Sequence, residues 1–168
     1  MDTLFAPWRS KYIAGFKDEP AEKECVFCEA LARTDDDETL LVYRGKDAFV
    51  IMNRFPYNSG HLLILPKRHT NEFMNLTEGE SRESQKLLVA SQKALIAMVG
   101  PHGFNIGMNL GRSAGTGIDD HLHWHIVPRW NGDTNFMPVL TDVKLVSEDI
   151  PKQWRELHDR FPAIVQSL

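Results

Sequence analysis

The most informative segment of this chain is His121-Leu122-His123-Trp124-His125-Ile126-Val127. Histidines alternate here with apolar residues, and this period of two is typical of a β-strand with one buried face. The three imidazoles then share one side of the strand, and the apolar side chains that alternate with them, Leu122, Trp124 and Ile126, point to the other side, toward the core. We expect this strand to run from about His121 to Val127 and to stop at Pro128.

Three imidazoles on one face of a strand have three interpretations. They are exposed residues of the strand, or they form a metal site in which an H-x-H pair binds one zinc ion, or they are part of an anion-binding site. The loop immediately upstream, residues 111–117, combines glycines and hydroxyls with Arg112 and offers several backbone N–H groups that can converge on an anion. A phosphate next to the histidines fits this loop better than a metal ion does.

The rest of the chain predicts a sheet covered by a helix. Period-two or strongly apolar runs that indicate strands are Thr39–Tyr43, Ala48–Asn53, His61–Leu65 and Phe104–Leu110. Thr77 and Glu80 form a capping box that should start one long helix, which Gly100-Pro101 ends. A second helix should begin at Asp149-Ile150-Pro151 and be limited by Pro162. Its apolar face would carry Trp154, Leu157 and Phe161.

These patterns predict an α+β fold, in which a five-stranded, largely antiparallel sheet carries one long helix and a C-terminal extension. At 168 residues the chain fits a single domain. We divide it into an N-terminal wrap over residues 1–24, a core over residues 25–128 and an extension over residues 129–168.

Composition excludes several classes of protein. Hydrophobic residues make up 42% and charged residues 25%, which is ordinary for a globular protein. The net charge of -4 argues against a general nucleic-acid binder, which needs a basic footprint. No segment reaches the roughly 20 apolar residues of a membrane span, and the start of the chain has an early acid and no apolar leader, so we expect no membrane association and a cytoplasmic location.

The two cysteines, Cys25 and Cys28, form a C-x-x-C pair. Such a pair is a redox dithiol, two small core residues, or half of a zinc site. The spacing alone does not distinguish these three possibilities.

The stretch 121–127 resembles the H-φ-H-φ-H-φ-φ signature of the histidine triad family. The resemblance extends to residues 49–53, 60–69 and 105–111. Residues 4–9 and 128–136 are similar to the branch of the family that contains bacterial diadenosine tetraphosphate phosphorylases. The resemblance implies a half-barrel fold and a homodimer.

It also implies a catalytic set formed by His121, His123 and His125. The middle histidine of the signature is the nucleophile, so His123 would attack the α-phosphorus of a nucleotide and form a covalent nucleotidyl-histidine intermediate. His125 would hydrogen-bond the α-phosphate or the bridging oxygen, and the loop over Ser113–Gly117 would donate to the developing charge.

The resemblance further implies a set of substrate-binding residues. Asn53 matches the ribose contact of the family, Asn109 matches a phosphate contact, and His61 lies beside the nucleoside pocket. The full set is Asn53, His61, Asn109, Ser113, Gly115, Thr116 and Gly117. The family loop often has Gln or Ser shortly before the signature, so the role of Thr116 is inferred from its location only.

Some neighbouring residues have both a binding and a structural interpretation. Phe49 and Ile51 either sandwich a base or pack in the core, and Trp130 and Phe136 either shape the nucleotide pocket or pack against the domain. The acidic pair Asp119-Asp120 is interpreted as a solvated turn.

Zinc-bearing members of the family use two further ligands that match His69 and His121. The resemblance therefore implies a closed, structural zinc site at Cys25, Cys28, His69 and His121, with no organic cofactor.

The implied function is cleavage of the phosphoanhydride of a dinucleoside polyphosphate such as diadenosine tetraphosphate. With inorganic phosphate as acceptor, held by Arg112 and Thr116, the products would be ATP and ADP. Alternatives are a nucleoside phosphoramidate hydrolase, a nucleotide-binding regulator with little turnover, and a catalytic three-histidine metalloenzyme. The expected partners are a nucleotide or dinucleotide substrate and a second copy of the chain.

Overall fold

The computed structural model describes residues 25–118, 120–133 and 149–168. The predicted N-terminal wrap over residues 1–24, the first acid of the pair at 119–120, and Phe136 lie outside the described residues. The helices are α1 (Val26–Ala32), α2 (Asp36–Thr39), α3 (Glu78–Val99) and α4 (Ile150–Gln166). The strands are β1 (Leu41–Arg44), β2 (Ala48–Met52), β3 (Leu62–Pro66), β4 (Gly103–Gly107) and β5 (Trp124–Arg129). Short 3₁₀ turns occupy Phe73–Asn75 and Arg112–Ala114.

The five strands form one antiparallel sheet in the order β1-β2-β3-β5-β4. The predicted α+β fold with a five-stranded antiparallel sheet and a long helix is therefore confirmed. The signature strand β5 lies between β3 and β4, and His125 is opposite Leu63 on one side and Gly107 on the other.

The bounds predicted for β5 were wrong at both ends. The strand starts at Trp124, so His121 and His123 precede it, and it continues through Pro128 to Arg129. Pro128 lies beyond the last β3–β5 pair, and its carbonyl accepts from Asn58 there. The N–H of a strand residue points to the same side as its carbonyl, so the missing N–H of Pro128 breaks no hydrogen bond between the strands.

The main core lies on the face of the sheet that α3 and α4 cover. Leu122, Trp124 and Ile126 all belong to this core, as the alternation in the signature predicted. The capping box at the start of α3 is present in both directions, with Glu80 N–H donating to Thr77 Oγ1 and Thr77 N–H donating to Glu80 Oε2.

Helix α4 differs from its prediction at its end. The apolar face of Trp154, Leu157 and Phe161 is buried as predicted, and Asp149 caps the helix, but Pro162 does not limit it. The helix continues to Gln166 because Val165 extends the same buried face. This packing offsets the cost of a proline in a helix, about 3 kcal/mol.

The opposite face of the sheet carries a smaller apolar cluster. Phe27 and Ala30 of α1 pack there against Phe49, Ile51 and Leu63 of the sheet. Neither α1 nor α2 was predicted from the sequence. No helix among the described residues is long and apolar enough to cross a membrane.

Candidate functional site

The signature histidines lie on the α1 face of the sheet and are largely withdrawn from solvent. His121 is 1% exposed and His123 is 7% exposed. The ring centroids of His123 and His125 are 4.9 Å apart. The two rings therefore act on the same small volume.

A backbone hydrogen bond orients the ring of His123. Its Nδ1 lies 2.8 Å from the carbonyl oxygen of His121, and a carbonyl only accepts, so Nδ1 carries the proton. Burial lowers the pKa of His123 and so favours the neutral ring, although that hydrogen bond acts in the opposite direction. A neutral imidazole protonated at Nδ1 leaves a lone pair at Nε2, which is the form that a nucleophile requires.

A chain of hydrogen bonds fixes the proton of His125. The backbone N–H of Tyr57 donates to Nδ1 of His61 at 3.1 Å, so the proton of His61 is on Nε2. That Nε2 donates over 2.9 Å to Nδ1 of His125, which leaves the His125 proton on its own Nε2. This last atom is buried and has no hydrogen-bond partner among the described residues.

Electrostatics favour the same state. Burial, and secondarily the charge of His123, lowers the pKa of His125 to about 4. The ring of Tyr57 stacks on that of His125 at an interplanar angle of 18°. His125 is thus a neutral donor near pH 7, and the pair His123 and His125 presents one lone pair and one N–H.

Both histidines line a cavity of about 810 Å³ between α1, the segment that follows β2 and the loop that precedes the signature. This volume is within the range of about 300–1,000 Å³ that is typical of small-molecule sites. The apolar part of the wall includes Phe27, Ile51 and Leu63, while Asn53 and Asn109 add amide groups.

The structure brings most of the predicted substrate-binding residues to this cavity. Those that line it are Asn53, Asn109, Gly115, Thr116 and Gly117. Ser113 is exposed and does not line it, and His61 is fully buried behind His125, where it contacts that ring and Asn53 instead of the cavity.

The loop before the signature is shaped by glycine. Gly115 has a φ of +87°, a conformation that other residues rarely adopt, and the loop turns toward the cavity after it. The hydroxyl of Thr116 donates to the carbonyl of Ile118, 2.9 Å away, so it braces the loop. Arg112 is exposed and does not line the cavity.

Residues with two interpretations are also placed. Phe49 is fully buried and meets His121 edge-on, whereas Ile51 faces the cavity. Trp130 is half-buried, and its indole N–H donates to the carbonyl of Val99, away from the cavity. Asp120 is exposed, as expected for a solvated turn.

A second cluster lies next to the first. Ligand atoms of Cys25, Cys28, His69 and His121 all lie within 4.8 Å of one another. Nδ1 of His121 is 3.3 Å from Cys25 Sγ and 3.6 Å from Cys28 Sγ, and Nδ1 of His69 is 3.4 Å from Cys28 Sγ.

These positions fit a tetrahedral metal site. Zn–S bonds of about 2.3 Å and Zn–N bonds of about 2.0 Å at tetrahedral angles separate sulfur from nitrogen by roughly 3.5 Å. Nε2 of His121 donates to the carbonyl of Pro66 at 2.9 Å, so its Nδ1 presents a lone pair to the sulfurs. Burial, followed by the neighbouring Cys25, raises the pKa of Cys28 to about 11. A bound cation would lower this pKa, because it stabilises the thiolate form.

Sequence reasoning missed two aromatic residues at the site. Phe27 lies between the cysteines, lines the cavity, and contacts the rings of both His121 and His123 at centroid distances of 5.7 and 5.4 Å. Its position inside the C-x-x-C pair was a usable signal, because a residue between two cysteines of one cluster must lie close to that cluster. Tyr57 lies in a segment that indicated only a turn.

Known proteins are similar to this chain in sequence and fold. Residues 34–132 match the HIT domain. The chain is 39% identical over 156 residues to AP-4-A phosphorylase from Mycobacterium tuberculosis. The aligned part covers 88% of this chain and 78% of that protein.

Crystal structures of other proteins match the fold, and two of them serve as examples. One is a hypothetical histidine triad nucleotide-binding protein from Sulfolobus tokodaii, with a TM-score of 0.64, 27% identity, and coverage of 86% of this chain and 93% of that one. The other is a zinc-bound histidine triad family protein from Mycobacterium smegmatis, with a TM-score of 0.65, 24% identity, and coverage of 86% and 98%.

Proposed function

Because the chain belongs to the histidine triad (HIT) family, we propose that it cleaves the phosphoanhydride of a dinucleoside polyphosphate through a nucleotidyl intermediate on His123. The observation that carries the proposal is the complementary pair of ring nitrogens at the cavity. The Nδ1 hydrogen bond of His123 leaves Nε2 as a base, and the chain from Tyr57 leaves Nε2 of His125 as a donor.

In the first half-reaction, Nε2 of His123 bonds to the α-phosphorus as the bond from that phosphorus to the bridging oxygen breaks. The electron pair leaves with the polyphosphate, which is ATP when the substrate is diadenosine tetraphosphate. Nε2–H of His125 stabilises the charge on the α-phosphate or the bridging oxygen. In the second half-reaction an acceptor oxygen displaces His123 and frees its lone pair.

The acceptor decides the product. Water yields AMP, and inorganic phosphate yields ADP. We propose phosphate, because the relative from Mycobacterium tuberculosis is named a phosphorylase and a bound acceptor gains from orientation over bulk water. Of the two residues predicted to hold phosphate, Thr116 lines the cavity and Arg112 does not.

We also propose that zinc binds Cys25, Cys28, His69 and His121. Its chemistry there would be structural, since four protein ligands leave no open position for a substrate. The distances within the cluster and the zinc-bound relative from Mycobacterium smegmatis support this assignment. A homodimer and a cytoplasmic location remain predictions.

The test is a product assay. Purified protein is incubated with diadenosine tetraphosphate, with and without millimolar phosphate, and the nucleotides are separated. We expect ATP and ADP, a rate that rises with phosphate, and a trapped nucleotidyl-histidine adduct on the peptide that contains His123. AMP with no response to phosphate would make the protein a hydrolase. Binding without turnover, or turnover of a nucleoside phosphoramidate alone, would support the regulator or the phosphoramidate hydrolase respectively.

A further inference from the structure

The turn between β2 and β3 is anchored by residues that follow β5. The backbone N–H of Gly60 donates to Oε1 of Gln153 on α4, at 3.1 Å. The side-chain amide of Asn58 donates to Oδ2 of Asp133 at 2.8 Å and to the carbonyl of Pro128 at 3.0 Å. The C-terminal extension therefore grips the turn at two points.

Both anchors are shielded from water. Gln153 is 2% exposed, and the side chain of Asp133 is 8% exposed. Asp133 is itself held by the guanidinium of Arg129 through Nε and Nη2. A buried hydrogen bond has no solvent to replace it when one partner is removed, so loss of either acceptor leaves a donor of the turn unsatisfied.

The anchored turn also carries the groups that set the proton of His125. Its Tyr57 N–H donates to His61 Nδ1, and the N–H of His61 donates to the carbonyl of Asn58 within the same turn. A shift of the turn would move the Tyr57 N–H away from the ring of His61. That ring would then lose one of the donors that assign its proton to Nε2, while the side-chain amide of Asn53, with Nδ2 at 3.2 Å from Nδ1 of His61, would remain.

We propose that Gln153 and Asp133 are positioning residues that keep the proton of His125 on Nε2, where it faces the cavity. They act through the turn over residues 57–60 and through His61, and neither touches the cavity. Without them His125 gains the tautomer protonated at Nδ1, and its Nε2 then turns a lone pair toward the substrate. The consequence for catalysis rests on the proposed function, but the tautomer itself does not.

The first test observes the tautomer directly. Long-range ¹H–¹⁵N spectra of the intact, metal-loaded protein distinguish Nδ1–H from Nε2–H of each histidine, and a His125→Gln spectrum assigns the signals. We expect Nε2–H in the wild type, a population of Nδ1–H in Gln153→Met, and return to Nε2–H in Gln153→Glu, which keeps an acceptor. Asp159→Asn, on the same helix and 81% exposed, is the matched control and should match the wild type.

A second test separates positioning from general loosening. We expect Gln153→Met to lower kcat about tenfold with KM unchanged, and to have no further effect in a His125→Ala background. An unaltered His125 tautomer in Gln153→Met overturns the proposal. If that variant does not fold, Asp133→Ala decides by the same spectrum, with Asp133→Asn as its conservative partner. If the wild type has no turnover, the proposed function fails and the spectrum still decides the positioning role.

Discussion

His121 and His123 are two residues apart and both are almost fully buried, yet their rings are protonated on opposite nitrogens. His121 donates from Nε2 to the carbonyl of Pro66 and turns Nδ1 to the cysteines. His123 donates from Nδ1 to the carbonyl of His121 and turns Nε2 to the cavity. The cysteine–histidine cluster and the cavity thus differ in which backbone carbonyl each ring meets, and that contact determines whether the ring turns its lone pair to the cysteines or to the cavity.

The largest effect should come from His123→Ala. We expect turnover to fall by roughly 10³-fold or more, because the covalent step is lost, while nucleotide binding persists through the other walls of the cavity. Turnover is measured with diadenosine tetraphosphate and binding by calorimetry. His158→Gln, on α4 and outside the lining of the cavity, serves as control, and wild-type turnover in His123→Ala would end the proposed mechanism.

Cys25→Ser tests the cysteine–histidine cluster in the same way. We expect about one zinc per chain in the wild type and a large loss in the variant, because a closed site needs all four ligands. A loss of about 3 kcal/mol would lower the melting temperature by roughly 6–12 °C for a chain of this size. Turnover should survive in part at low temperature, since His123 is not a ligand. Wild-type protein prepared without chelators and free of zinc would contradict the assignment.

The pH dependence of stability tests the protonation state of His125 at the cavity. The pKa of His125 is lowered to about 4 in the folded chain against 6.5 for an ordinary histidine. Between these values the unfolded chain binds more protons, so His125 destabilises the fold as the pH falls from about 6.5 toward 4. Denaturant titrations of the wild type and His125→Gln at pH 7 and pH 5 should show a smaller loss in the variant. Equal losses would contradict the neutral, buried state of this ring.

The smallest effect is expected from Thr116→Val. Its hydroxyl proton is already donated to the carbonyl of Ile118, so the change should loosen the loop and remove no donor to the substrate. We expect kcat/KM to fall less than tenfold, in line with a hydrogen bond worth about 1 kcal/mol. Ser113→Ala, outside the cavity, is the control. A loss of 10³-fold would mean that the hydroxyl turns to the substrate.

The sequence predicted those parts of the molecule that depend on local pattern. Alternation in the signature put Leu122, Trp124 and Ile126 in the core, and the spacing of Thr77 and Glu80 marked the start of α3. The resemblance to a known family supplied the residues of the site, and the structure brings His123 and His125 to one cavity.

Features that depend on distant contacts could not be predicted in this way. Pro128 and Pro162 each predicted the end of an element. Pro128 is tolerated in β5 because it lies beyond the last pair with β3, and Pro162 is tolerated in α4 because core packing outweighs its cost. The burial of His61 behind His125 depends on how the turn before β3 folds back. Gln153 carries no local signal at all, since only tertiary structure brings α4 to Gly60.

Helix α1 forms a wall of the cavity and contacts the rings of His121 and His123 through Phe27. It precedes the part of the chain that matches the HIT domain, residues 34–132, whereas the histidines of the cavity are carried on the sheet within that part. Part of the wall of the cavity is therefore encoded outside the part of the chain that matches the domain. A change in α1 alters this wall and the cysteine–histidine cluster together, because the same helix carries both Phe27 and Cys28.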